Sequence, residues 1–387
     1  MWRHIASNAL TFLIVGLFLA AGAVVWATRQ YDGPGPLAEA ICLRVEPGSN
    51  FRRVSEDLAE QGAVSSPALL RMGADYSDRS GDLKAGSFLI ERGASMRDIV
   101  EQVTASGQST CGTEVVYRIG INQTTTQVRE LDPTTNRFVE LVSFDPQDAA
   151  PPEVYAEVRA SADTRYRIAM AEGVTSWQVM TSLNSLDVLD GEIDAVPAEG
   201  TLAPDSYEFT PGTDPRTLIA QMEAAQARRL QEAWQNRADD LPVSSPEEAL
   251  ILASIVEKET GVAEERYTVA SVFINRLNQG MKLQTDPTVI YGITQGQGVL
   301  GRGLRRSELN RETPWNTYVI EGLPPTPIAN PGLASLEAAL NPEATDYIFF
   351  VADGTGGHAF ATTLDEHNRN VQAWRQIEAE RAEASDN

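Results

Sequence analysis

"SPEEALILASIVEKET", Ser245 to Thr260, is the stretch on which the fold of the chain turns. Ser245 stands at a helix N-cap, Pro246 at the first helical position, and Glu248 where it completes a capping box. The apolar run that follows therefore reads as a helix. At about 100° per residue, Ala249, Leu252, Ile255 and Val256 span one broad apolar face, with Ser254, Glu257 and Lys258 opposite. Glu259 falls within about 20° of Leu252, on the apolar side. The two glutamates thus differ. Glu257 reads as a flanking polar residue, at the surface or behind a site. Glu259 points where a charge needs a reason, because an acid is seldom buried without a partner or a task. Burial raises a carboxyl pKa, and a raised pKa suits a general acid near neutral pH. A structural ion pair with Arg266 or Arg276 is the competing reading, and the local pattern leaves both open.

Outward from this helix the pattern predicts an α+β chain. "ALTFLIVGLFLAAGAVVWAT", residues 9–28, is long enough to cross a bilayer without a charge. Residues 1–8, with Arg3, form a short leader expected on the cytoplasmic side. A cleaved signal peptide is the alternative, but the apolar run exceeds the usual signal core. Residues 40–108 read as strand, helix, strand, turn and helix, similar to a small LysM-like module. Residues 112–163 read as a β-rich insertion, with "DPTTN" turning a hairpin between "QVREL" and "RFVEL". Residues 164–241 form a linking region with a long helix from Pro215 to about Arg237. Residues 242–377 read as a mixed helical and loop-rich catalytic domain, including a short strand at "DYIFFVAD" and a turn at "GTGG". Residues 378–387 form an acidic tail.

The bulk properties narrow the function. Among 387 residues, 31 Lys and Arg face 54 Asp and Glu, a net charge of −23. Such acidity excludes phosphate-backbone binding, so no nucleic-acid partner is expected. Cys42 and Cys111 are the only cysteines. They exclude a Cys-rich metal site and leave one disulfide or two thiols open. The three histidines, His4, His358 and His367, do not form a zinc-protease pair. No nucleophile elbow or phosphate-cradling lysine loop is present, and no cofactor or metal is expected. A two-carboxylate glycosidase would pair Glu259 with a second acid, for which Asp286 in "LQTDPTVIYG" is the best candidate.

Six motifs then occur in order: "LASIVEKET", "ASVFINRL", "LQTDPTVIYG", "ETPWNTY", "GLPPTPIANPG" and "FFVADGTGGHAFATTLDEHN". Together they closely resemble the MltG (YceG-like) endolytic murein transglycosylases, densely from about Leu250 to Asn368. Trp315 stands where the resemblance suggests Tyr, and residues 112–163 depart from the shorter family pattern. The resemblance implies a single-pass inner-membrane enzyme with its catalytic domain in the periplasm. It would cut the MurNAc-GlcNAc bond of peptidoglycan without water, leaving 1,6-anhydro ends and terminating nascent strands. Glu259 would be the catalytic residue, and penicillin-binding synthases would be partners. Gln284, Asp286, Tyr291, Asn316, Tyr318, Asn330 and His358 are the candidates for substrate contact. Each also has a structural reading, as turn former, core aromatic or loop fastener. A lysozyme-like hydrolase using Glu259 and Asp286, and a non-enzymatic wall-binding scaffold, are the alternative functions.

Overall fold

The computed structural model describes residues 2–105, 109–147, 150–161 and 163–385. Met1 of the leader, residues 106–108 of the first module, 148–149 and 162 of the β-rich segment, and 386–387 of the tail lie outside the described residues. The chain divides into two compact units. The first holds residues 1–116, 127–144 and 149–166, and the second the remainder.

In the first unit, α1 (Trp2–Asp32) contains Leu10–Asp32, the one helix among the described residues long and apolar enough to cross a bilayer. Next come β1 (Ile41–Val45), α2 (Phe51–Glu60), α3 (Pro67–Tyr76), β2 (Gly86–Ile90) and α4 (Met96–Thr104). β1 and β2 pair antiparallel, Leu43 opposite Phe88. Met96, Ile99, Val100 and Val103 of α4 are buried, as their helical spacing predicts. α3 was not anticipated, although Ser66 caps it by accepting from Leu69 N and Pro67 opens it. Leu43, Leu58, Leu70, Ile90 and Val103 form the core of these elements. Cys42 and Cys111 form a disulfide with Cα atoms 5.7 Å apart.

The segment expected as an insertion is part of a larger sheet. β3 (Thr113–Ile119), β4 (Thr124–Asp132) and β5 (Arg137–Phe144) are joined by β6 (Arg165–Met170) and β7 (Ser206–Phe209) in the order β5-β4-β3-β6-β7. Asp132 accepts from Thr134 and Thr135 in the predicted hairpin turn. A helix α5 (Glu153–Ala160) separates β5 from β6.

The second unit is built round the opening stretch. α6 (Ser176–Asn184) and α7 (Pro215–Gln235) precede α8 (Pro246–Glu259), and α9 (Arg266–Asn278) and α10 (Asp286–Thr294) follow. A short α11 (Arg306–Leu309) leads to α12 (Leu333–Leu340). β8 (Phe349–Ala352) and β9 (His358–Ala361) form an antiparallel hairpin, and α13 (Leu364–Ser385) ends the described chain. The strand expected in "DYIFFVAD" is thus one half-buried arm of a hairpin. α7, α9, α10 and α12 all pack on α8, and Ala249 to Val256 are buried without interruption. An all-round buried helix has no solvated side, so Ser254 is enclosed too, donating to Ile251 O and accepting from Ile328 N. α7 joins the same core through Ala233, so the expected linking region is structurally part of this unit.

Candidate active site

α8 begins as its sequence dictates, with Ser245 Oγ accepting from Glu248 N at 3.3 Å. The capping box is displaced by one residue. Glu248 Oε2 accepts from Ser244 N and Ser244 Oγ rather than closing on Ser245. The helix ends at Glu259, and the chain extends through Thr260. The last turn therefore places three consecutive charged residues in three different surroundings.

Glu257 is not a solvated flank. Its Oε2 accepts from Gly332 N at 3.0 Å and Ser335 Oγ at 2.7 Å, at the start of α12. A carboxylate there satisfies an orphan N–H and meets the positive end of the helix dipole. Lys258 turns to a loop and donates from Nζ to Gly173 O at 3.2 Å.

Glu259 accepts from Thr285 Oγ1 at 2.8 Å. Burial is the main cause of a raised pKa at this carboxyl, and Asp286 adds to it. Thr285, His358 and Arg276 pull the other way. As a residue Glu259 keeps partial exposure, which leaves it reachable by a ligand. The competing ion-pair reading does not hold among the described residues. Arg276 spends its guanidinium on Ile348 O at 2.7 Å and Leu283 O at 2.6 Å, beneath the ring of Phe349.

Thr285 is itself held firmly. Its N–H donates to Thr317 Oγ1 at 3.1 Å, and Thr317 Oγ1 lies 2.8 Å from Thr288 Oγ1. All three threonines are buried. The next residue, Asp286, opens α10, is exposed, and accepts from Tyr318 OH at 2.7 Å. Burial and the Asp286 carboxylate keep the Tyr318 phenol protonated well above its ordinary range. Gln284, also exposed, takes a left-handed φ of 49° and donates from its backbone to Thr317 O.

His358 reaches the same neighbourhood from β9. Its backbone N–H donates to Glu265 Oε1 at 2.9 Å, and its Nδ1 lies 2.8 Å from Glu265 Oε2. Phe350 packs edge-on against the ring at 5.2 Å. Two ring-directed contacts and one backbone bond fix the imidazole, and Nε2 is left outside that clasp.

Three other candidates do different work. Tyr291 OH donates to Glu199 Oε2 at 3.2 Å, and its ring lies 5.8 Å from Trp315. Asn316 is fully buried and donates to the carbonyls of Glu308, Leu309 and Arg311. Asn330, also fully buried, accepts from Leu202 N and donates to Val174 O. Asn316 and Asn330 are loop fasteners with no surface to offer a ligand. The expectation of substrate contact is corrected for both, since their amides are consumed inside the fold.

Thr285, Thr317, Glu265 and Glu199 were not anticipated. Thr285 had a signal, a hydroxyl directly before the Asp-Pro that starts α10. Glu199 had none. It is enclosed between Ser176 N, at 2.8 Å, and Tyr291, and burial raises its pKa.

A model of the YceG-like family matches residues 43–373. The endolytic murein transglycosylase of Streptococcus pneumoniae strain D39 is 27% identical over 379 residues, covering 95% of this chain and 65% of that protein. The endolytic murein transglycosylase of Bacillus subtilis is 38% identical over 175 residues, covering 45% of this chain and 47% of that one. The chain therefore spans about two thirds of the pneumococcal relative's length at most. A crystal structure of a YceG-like protein from Listeria monocytogenes aligns at 22% identity, covering 86% of this chain and 98% of that one, with a TM-score of 0.46.

Proposed function

Because the chain belongs to the YceG-like family, we propose that it is a lytic murein transglycosylase with Glu259 as its acid. The observation that carries this is the Glu259 carboxyl, desolvated by the fold, raised in pKa and aimed by the Thr285 hydroxyl. The curated relatives carry the name of that activity, which supports the same reading.

The chemistry follows from one carboxyl. Protonated Glu259 donates to the glycosidic oxygen between N-acetylmuramic acid and N-acetylglucosamine, and the bond to the muramyl anomeric carbon breaks. The resulting carboxylate accepts the proton of the sugar's own 6-hydroxyl as that oxygen closes on the anomeric carbon. Glu259 ends protonated, the product ends in a 1,6-anhydro ring, and no water is consumed. Asp286, held by Tyr318, supplies negative charge beside the oxocarbenium-like transition state. His358, Gln284 and Tyr318 are the proposed polar contacts to the glycan.

The membrane reading belongs to the same proposal. α1 anchors the chain in the inner membrane, with the N-terminus inside and the residues after α1 in the periplasm. The Cys42–Cys111 disulfide supports an oxidising compartment. Synthases that extend glycan strands are the proposed partners, and the strand–helix–helix–strand module of residues 40–108 a proposed glycan contact.

Asp286 also favours a second reading, a retaining hydrolase in which it attacks the anomeric carbon. Mass spectrometry of murein digested by the purified periplasmic part separates the two. The first gives ends lacking one water relative to a reducing sugar. Reducing ends alone would overturn it in favour of the hydrolase.

A further inference from the structure

A cavity of about 220 Å³ borders α10 within the second unit. Its walls are apolar at Pro287, Ile290, Val299 and Ile328, and polar at Thr175, Gln178 and Lys258. The volume is far above the roughly 15 Å³ that one water needs. It falls short of the roughly 300 Å³ at which pockets for drug-sized ligands begin. It therefore suits a short appended group, not a run of sugar rings.

Among the donors of the polar wall, Lys258 has the most N–H groups left uncommitted. Thr175 Oγ1 donates to Gly296 O at 2.6 Å, and Gln178 Nε2 donates to Ile121 O at 2.6 Å. Lys258 has a single hydrogen-bond acceptor among the described residues, Gly173 O. An ammonium carries three donors, so two remain for a ligand. The carboxylates that act on Lys258 are engaged elsewhere, Glu257 on α12 and Glu199 on Ser176 and Tyr291. Gly173, at φ 76°, offers no side chain to the Lys258 stem that packs on it. Burial lowers the Lys258 pKa, the mark of an ammonium short of solvent.

The cavity shares two helices with the site, lining itself with Lys258 of α8 and with Pro287 and Ile290 of α10. Lys258 directly precedes Glu259, and Ile290 follows Asp286 by one turn of α10, about 6 Å along the helix. A muramyl residue carries a lactyl ether extended by a short peptide, rich in methyl groups and ending in carboxylates. An apolar recess with one half-buried ammonium is complementary to such a group.

We propose that this cavity takes the carboxylate-bearing lactyl-peptide arm of the muramyl residue at the scissile bond, with Lys258 pairing its carboxylate. The proposal rests on the transglycosylase reading and adds to it a selection for peptide-bearing strands over bare ones.

Binding tests this without turnover. The probes are a disaccharide-peptide and the same disaccharide lacking peptide, titrated calorimetrically into the Glu259→Gln protein. The expected affinity ratio is tenfold or more in favour of the peptide. Adding Lys258→Met, or Val299→Trp to fill the cavity from its exposed rim, lowers that ratio to near one. Melting curves show whether each variant is folded. A parent ratio near one overturns the proposal. So does a ratio that neither folded variant moves, or a parallel loss for both probes. Binding of neither probe by the parent sinks the glycan reading itself, and this proposal with it.

Discussion

Thr285 and Glu259 stand 26 residues apart and share a 2.8 Å hydrogen bond in which the threonine hydroxyl donates. The bond gives a buried carboxyl one fixed direction. It also tempers the pKa rise that burial causes, because the donor favours the ionised form.

Removing that hydroxyl should move the pH profile upward. In Thr285→Val the donor is lost and the carboxyl pKa climbs further. Glu259 then stays protonated to higher pH, and the alkaline limb of kcat/KM against pH shifts the same way. Lost orientation lowers the plateau by about tenfold to a hundredfold. A pH–rate series on soluble glycan strands measures both, and a downward shift of the limb would contradict the assigned donor.

Stability should register the same group with a defined sign. The folded pKa of Glu259 lies above its unfolded value, so the native state binds this proton more tightly. The associated stability is full below about pH 4, the unfolded range, and is lost as pH rises through the folded pKa. Glu259→Gln escapes that loss. Its unfolding free energy should match wild type in acid and exceed it at neutral pH by about 0.5–2 kcal/mol, read as a higher melting point. Parallel melting curves across pH would show no divergence if the carboxyl were not desolvated.

The helix and its acid were legible because the deciding signals are local. A cap, a proline and an unbroken apolar run fix α8, and 3.6 residues per turn separate Glu257 from Glu259. What surrounds them was not legible. Glu257 reads from the sequence as lying at the surface or behind a site, and what meets it is set from more than 70 residues away, where the α12 cap and the Ile328 loop close over the polar side of α8. Glu265 and His358 meet across 93 residues, and no local pattern announces such a pair. The asparagines show the converse. Asn316 and Asn330 look like site residues in loop-rich motifs, but the loops need their amides to satisfy buried backbone groups. α3, by contrast, has a local start signal in Ser66-Pro67 that the sequence does carry.

His358 should depend on Glu265 for its action. Glu265→Gln keeps a group of the same size but removes the charge that selects the Nδ1–H tautomer. The expected fall in kcat is about tenfold to a hundredfold, with KM little changed, and His358→Asn should fall at least as far. The double variant should be no worse than His358→Asn alone, since the glutamate acts through the ring. Additive losses in steady-state kinetics would contradict that coupling.

The disulfide should be a measurable stabiliser of the first unit. Cys42 and Cys111 close a loop of 69 residues, which corresponds to about 4 kcal/mol in the chain-entropy account. Reduction, or the Cys42→Ser and Cys111→Ser pair, should lower the denaturation midpoint of this unit while murein cleavage by the second is retained. Unchanged unfolding curves with and without reductant would remove the bridge from the account.

The most direct measurement sets the two glutamates of the last turn of α8 against each other. Glu259→Gln and Glu257→Gln differ by two positions on one helix, and both preserve side-chain size. Purified proteins would be incubated with intact murein, and 1,6-anhydro ends counted by mass spectrometry. Loss of the general acid should reduce those ends by about a thousandfold or more in Glu259→Gln. Glu257→Gln, whose amide oxygen can still accept from Gly332 and Ser335, should stay within about tenfold of wild type. Anhydro ends formed by Glu259→Gln at the wild-type rate would contradict the central claim.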